Sequence, residues 1–567
     1  MRVTLNNTAI FDEQAWPSRF AVVLALAILA VASSVAGCRS KKEKPASATA
    51  SAGPDLQLIH PPPPPAEPVP APAEVPAPAR RGGALRVHLD AEPTSLLPLA
   101  ESDAASAQIT NGLVYETLLD CRDGTYQPGL AESWDVSNDG MRLAVRVRSG
   151  VHWHDHRAFG VLDVQGTVEP LLRTGTDAPV LRAELADVAS IELVTERTVR
   201  FVLKRPSDFA LRALCDVPML PDHLVHGVRP EASTIARQPI GTGPFRFAGW
   251  DHGKRIRLER APEYWGPPAG VDEIVFDLDP DAVRALNRTR RGEIDVLSRV
   301  IDAHYPDQVE PTTLHGGTSL LRLRSRRYSF LAVNHQHYPL SDPRFRKALT
   351  MLWDRTRFAG ELHNDLARPI GGPPLIDDLP APPLDRPRAA TALDDAGYRD
   401  SDADGVRDHL GHPIRLTLLE PAGNRQFHVE AHAFAMEARK VGILIDLLPA
   451  DATTIQQRLK RGEFDLVPLI WEGTPDEDPE PLYGMGGAFN YGGYRSSALE
   501  ALLDEARSAG GPIARAPILA RIARLLADEQ PVIFLYRYDI PALAATRVHG
   551  LAAVGDRFDL RRVWLDP

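Results

Sequence analysis

Two stretches of this chain repeat one pattern, and the repeat limits the folds open to it. Ala282–Leu297 (AVRALNRTRRGEIDVL) and Thr454–Leu469 (TIQQRLKRGEFDLVPL) each run as an amphipathic helical segment, then Arg-Gly-Glu, then an Asp inside a short apolar run. The glycine suits the left-handed position that closes a helix, and the apolar run is the length of a buried strand. Two copies of a helix-to-strand unit, with Gly292 and Gly462 standing 170 residues apart, predict two separate α/β lobes rather than one large sheet. Two lobes enclose a cleft, which is a preferred place for a ligand. The length of 567 residues allows two or three packed units with cores of ordinary size.

The chain before the lobes reads differently. Arg19 precedes an uncharged run from Phe20 to Val35, and the small residues Ala36 and Gly37 lead into Cys38. That is the charged flank, apolar region and small-residue cleavage site of an export signal. An uncleaved anchor is the alternative, because the run is close to the lower limit of about 17 residues for a spanning helix. Much of the excess among 51 prolines then falls in one stretch, with Pro61 to Pro65 consecutive and Pro68, Pro70, Pro72, Pro76 and Pro78 following. Such a segment favours extended polyproline II and reads as a tether; a docking site for a partner is the alternative. From Gly82 the chain becomes globular. Ala84–Leu89 reads as a strand and Ala107–Leu119 as a helix, whereas Met141–Arg148 and Ile191–Leu203 alternate like a small antiparallel sheet.

Charge and motifs exclude several functions. A net charge of −11 supplies no positive field for nucleic acid. Three cysteines are too few for a disulfide framework or a four-thiolate zinc site. Cys121 and Cys215 could pair in an oxidising compartment, and the sequence leaves that open. His152, His154 and His156 alternate, so an extended backbone would project all three from one face, where they could hold zinc or nickel. Asp402, Asp404 and Asp408 around Gly405 suggest a calcium loop but lack the terminal Glu, and a polar hairpin tip is the preferred reading. No Gly-x-Ser-x-Gly elbow, His-Glu-x-x-His helix or Gly-x-x-x-x-Gly-Lys-Ser/Thr loop occurs, so no enzyme activity and no cofactor are expected.

A series of segments in order carries a family resemblance: Gly82–Val87, Val114–Leu119, Pro128–Trp134, Gly150–Asp155, Pro239–Phe245, Glu263-Tyr264-Trp265, Gly292–Asp295, Asp342–Leu349 and Asp402–Asp408. The chain resembles the extracytoplasmic solute-binding proteins of peptide and nickel ABC importers, family 5. The resemblance implies an α/β, two-lobed periplasmic-binding-protein fold of the large type II kind. In that scheme residues 1–37 are the leader, 38–81 the tether, 82–331 lobe I with a sub-domain inserted at about 122–225, 332–535 lobe II, and 536–567 the return to lobe I. Val35-Ala36-Gly37-Cys38 is similar to the bacterial lipobox, which implies a lipid on Cys38 and attachment to the periplasmic or cell-surface face of a membrane.

Expected partners are a short peptide or a solute of similar size, and the permease and ATPase of an importer, with the receptor itself a monomer. In peptide-binding relatives a Trp at the end of the second strand packs along the peptide and a nearby Asp pairs with its ammonium. Trp471 matches the first place; the third position after it, where the Asp is usual, is Thr474, and the Asp-Pro pair comes one residue late. An inserted residue would restore Asp476 to the role, with Asp478 as the adjacent alternative and a solvated acidic loop as the competing reading. Asp103 and Tyr536 complete the ligand-binding candidates. In the family the histidine stretch ends a strand of the small sub-domain, so no metal site is expected there, although His156 stands where a Gly is usual. A signalling or surface-interaction protein on the same fold, and a metal-binding receptor, are the competing readings.

Overall fold

A computed structural model describes residues 2–4 and 82–566, apart from 99–103, 123–124, 174–177, 228–232, 302–303, 310–313, 315–316, 376–377, 473–477 and 555–556. Cys38 and the proline tether lie outside the described residues.

Both copies of the repeat form helices. Ala282–Arg290 and Ala452–Arg461 begin at Asp281 and Asp451, whose carboxylates accept the N–H of Arg284 and Thr454. The chain turns after them at Gly292 and Gly462, with φ of 72° and 68°, a conformation that strains any residue with a Cβ. The likeness extends to the aspartate that immediately precedes each strand. Asp295 accepts the N–H of Arg86 at 2.9 Å and Asp465 that of Thr417 at 2.8 Å, in each case from the neighbouring parallel strand. Arg547 pairs with Asp295 and His337 with Asp465, so each polar residue in an apolar run is satisfied.

The expectation of two separate sheets is corrected. Among the described residues, one sheet of twelve strands forms, ten of them along a single hydrogen-bonded path, with Arg2–Thr4 and Ala367–Pro369 paired beside it. Its lobe II half contains Leu444–Ala450, Arg415–Pro421 and Leu466–Glu472, and its lobe I half contains Val296–Leu297, Ala84–Leu89, Glu273–Leu278, Arg255–Arg260 and Phe245–Asp251. Thr318–Val333 and Val532–Ala545 lie between them as an antiparallel pair. At 16 and 14 residues, these two strands are long enough to serve both halves. Their register breaks between Arg324 and Tyr328 and again before Phe330, and such irregularities bend a strand and raise its twist. Leu323 and Ala542, on one side of the break, join the lobe I core; Leu331 and Ile533, on the other, join that of lobe II. Positions 331/332 and 535/536, where the sequence scheme divides the lobes, both fall inside these crossing strands.

In the inserted region, Ala131–Val136, Arg142–Val147, Thr198–Leu203 and Val188–Thr195 form an antiparallel sheet in that spatial order. Leu143, Val145 and Val147 are buried, as their alternation predicts. The helix expected over 107–119 instead spans Ala104–Thr110. Asn111-Gly112 ends it, with Gly112 at φ 77° and the Tyr115 N–H folding back to the Thr110 carbonyl. Cys121 and Cys215 are disulfide-bonded, with Cα atoms 5.7 Å apart.

Three of the ordered segments meet at one carboxylate. Glu116 accepts hydrogen bonds from Tyr264 Oη at 2.8 Å, Trp265 Nε1 at 2.8 Å and Thr242 Oγ1 at 3.0 Å. Burial pushes its pKa up to about 7 against the pull of these three donors.

Candidate functional site

Strand Leu466–Glu472 pairs along its whole length with Thr318–Val333, from Val333 opposite Leu466 to Arg327 opposite Glu472. On its other side it meets Arg415–Pro421 only at Leu466, so its carboxyl half presents a second edge. Residues Arg2–Thr4 lie antiparallel along that edge, with Arg2 opposite Glu472, Val3 opposite Trp471 and Thr4 opposite Ile470. The edge therefore accepts an extended segment through backbone hydrogen bonds, as sheet edges do for added strands.

Trp471 sits in this edge with its side chain against Phe489, ring centroids 5.5 Å apart and edge to face, and Tyr491 continues the aromatic cluster. Its cross-strand partner Tyr328 shares a buried 2.8 Å hydroxyl contact with Tyr483. Asp476 and Asp103 lie outside the described residues. Asp478 accepts the Glu480 N–H at 2.9 Å. Burial, followed by the nearby carboxylates of Glu480 and Asp187, raises its pKa to about 7 against the pull of Arg507. A carboxyl so placed is largely protonated at mildly acidic pH, which weakens it as a fixed counter-charge for an ammonium.

Tyr536 requires correction as a ligand candidate. It is 1% exposed, accepts a hydrogen bond from Trp353 Nε1 at 3.1 Å and packs in the lobe II core beside His363. Its strand is buried along almost its entire length, so position in the crossing strand gives this side chain no access to a cleft.

The acidic segment is tied to the inserted sub-domain through groups the sequence did not single out. Glu480 pairs with Arg205 at 2.7 Å and with Arg507 at 2.5 Å, and Arg205 also pairs with Asp187 at 2.6 Å. Nearby, Asp208 accepts from Arg515 Nη1 at 2.5 Å and from the Gly511 N–H at 2.9 Å. The Arg515 guanidinium lies 4.6 Å from the centre of the Phe209 ring, and Phe209, though part of the insertion, packs in a lobe II core cluster. A single Asp in a loop and a single Arg in a helix carry no motif, so only the fold reveals this pair.

Residues 125–493 match the family model described as bacterial extracellular solute-binding proteins, family 5 Middle. The chain belongs to this family. The protein XP55 of Streptomyces lividans is 28% identical over 475 residues, covering 81% of this chain and 84% of the relative. The oligopeptide-binding protein AppA of Bacillus subtilis is 25% identical over 477 residues, covering 81% and 86%. The solved structure of Bacillus subtilis AppA in complex with a nonapeptide superposes with a TM-score of 0.65 at 22% identity, covering 86% of this chain and all of that one. Family 5 comprises substrate-binding receptors of importers rather than enzymes, and its members are extracytoplasmic. Among the described residues no helix is long and apolar enough to cross a membrane.

In this family 5 chain the three neighbouring histidines do not share a face. The backbone turns at 154–156 instead of continuing as a strand. His154 donates from Nε2 to the Gly243 carbonyl and accepts the Gly241 N–H at Nδ1, so both ring nitrogens are engaged, and burial lowers its pKa to about 4. His156 pairs with Glu263 at 3.0 Å and has φ 69°, the left-handed conformation that explains why a Gly suits its place. Asp402 and Asp404 lie in a turn, and Asp408 begins a short hairpin. The carboxylates bind that loop's own donors: Asp400 takes the Gly405 N–H and Asp408 the Ser401 N–H and hydroxyl.

Proposed function

We propose that this receptor binds a short peptide as an added strand along Ile470–Glu472 and delivers it to the permease and ATPase of an ABC importer. The observation that carries this reading is the edge occupied by Arg2–Thr4. Cleavage before Cys38 removes those residues, vacates the edge, and leaves a monomeric receptor held at the outer face of the membrane by a lipid on Cys38. A receptor tolerant of sequence has to read what every peptide offers, a backbone and a charged N-terminus. The strand edge meets the first need, with Trp471 packing along the chain, and the Asp476 carboxylate meets the second. The oligopeptide-binding relative, and its fold-mate solved with a nonapeptide, support the ligand class.

The test is calorimetric titration of the leader-free protein with short peptides, free and N-acetylated. Stranding a desolvated ammonium costs about 2 to 5 kcal/mol, or roughly 30-fold to several thousand-fold in affinity. Asp476→Asn is expected to weaken free peptides by that factor and to leave acetylated ones near wild type. Equal binding of free peptides by Asp476→Asn and wild type would remove the ammonium anchor from the scheme, and absence of any peptide binding would remove the ligand class.

A further inference from the structure

Away from the peptide edge, lobe II brings two imidazoles and a carboxylate together. His428 and His432 lie one turn apart on helix Arg425–Lys440, and that spacing sets both on one face. Their rings stand 4.2 Å apart, edge to face. Glu420 reaches them from strand Arg415–Pro421, with Oε1 2.5 Å from His428 Nδ1. One ligand atom from each of the three residues lies within 4.8 Å of the others.

The burial of the three groups is unequal in an informative way. Glu420 is 5% exposed, whereas the His428 side chain is 52% exposed and His432 is exposed as well. A buried carboxylate calls for a positive partner, and an imidazole supplies a full charge only when protonated. A divalent ion would neutralise the carboxylate whatever the protonation state of the rings. The exposed imidazoles can rotate to contract the trio to bonding distance, about 2.0 to 2.2 Å from ion to ligand. Two nitrogens and one oxygen are borderline donors that suit zinc and its neighbours rather than calcium or magnesium, which take oxygen.

We infer that Glu420, His428 and His432 form a zinc site with a fourth position open to water or to an external donor. The site is independent of the peptide edge: it uses none of Trp471, Asp476 or Asp478. Its signature in sequence, Glu-x7-His-x3-His, spans the end of a strand and the first turns of the following helix, so the fold rather than a continuous motif assembles it.

The experiment uses the untagged, leader-free protein in chelator-free buffer, titrated with Zn²⁺ against a chromophoric competitor, and with Co²⁺ followed by its visible absorption. The expected result is one zinc per chain with a dissociation constant at or below about 10 µM, and intense visible bands of four-coordinate cobalt. His432→Ala and Glu420→Gln should each weaken zinc by at least about tenfold, while the double variant His152→Ala/His156→Ala should bind like wild type. His432 is exposed, so its replacement leaves the fold intact, and circular dichroism checks this for each variant. Less than half an equivalent bound at about 100 µM free zinc, or wild-type affinity in His432→Ala, would overturn the site.

Discussion

Replacing Asp208 with Asn should loosen the junction between the inserted sub-domain and lobe II. Arg515 is fully buried, and Asp208 is its carboxylate partner at 2.5 Å; its other neighbours, the Tyr126 hydroxyl at 3.2 Å and the Phe209 ring, carry no full charge. Asn keeps the shape and can still accept the Gly511 N–H, but it leaves a guanidinium buried without a counter-charge, a change that costs about 3 to 5 kcal/mol.

Arg515→Met leaves the opposite orphan. Burial already raises the pKa of Asp208, and Arg515 opposes that rise. With the cation gone, the carboxyl can escape the penalty by taking a proton. The cost of Arg515→Met should therefore be smaller at low pH and grow as pH rises through the folded-state pKa, because the folded form then binds more protons than the unfolded one in that window. The double variant Asp208→Asn/Arg515→Met removes both charges and should recover most of the loss, giving a strongly non-additive cycle. Urea unfolding at constant slope provides the measurement. A loss below about 1 kcal/mol for Asp208→Asn, or simple additivity in the double variant, would refute the reasoning.

Three further outcomes are expected. Cys121→Ser combined with Cys215→Ser opens a cross-link spanning 94 residues and should cost about 2 to 5 kcal/mol; thermal unfolding equal to the oxidised wild type would contradict it. The raised pKa of Glu116, about 7, makes its contribution to stability complete below the unfolded value of about 4.3 and lost as pH rises through 7. Glu116→Gln should flatten that part of the stability profile, and an unchanged slope between pH 5 and about pH 8 would count against it. Labelled palmitate should enter the wild-type protein and not Cys38→Ser, with equal labelling of both ruling out the lipid on Cys38.

The parts of the molecule legible in the sequence are those specified by neighbours along the chain. The repeat declared its helices because a capping aspartate, an amphipathic run and a terminal glycine all lie within one window, and the alternation of Leu143, Val145 and Val147 declared its buried face. The single sheet path was hidden, since nothing local reveals that one strand is shared by two lobes. The alternation of the three histidines suggests a shared face only on an extended backbone, and the positive φ of His156 belongs to a turn that the residue types do not announce. Trp471 was singled out as a candidate through its position near the end of the second repeat's strand. The Asp208–Arg515 and Glu480–Arg205 contacts join residues 307 and 275 positions apart, and charge alone assigns no partner across such distances.

The order in which the central sheet is assembled affects how the protein is made. Val532–Ala545, which comes late in the chain, sits in the middle of the sheet between Thr318–Val333 and Val296–Leu297. Until it emerges from the ribosome, each half of the sheet ends in an unpaired edge, and contacts of such long sequence separation form slowly. The topology itself thus postpones completion of the native sheet until the last of its central strands has been made. A synthesis that stops before Val532 would leave two sticky edges exposed, and its product would be marked for aggregation or degradation.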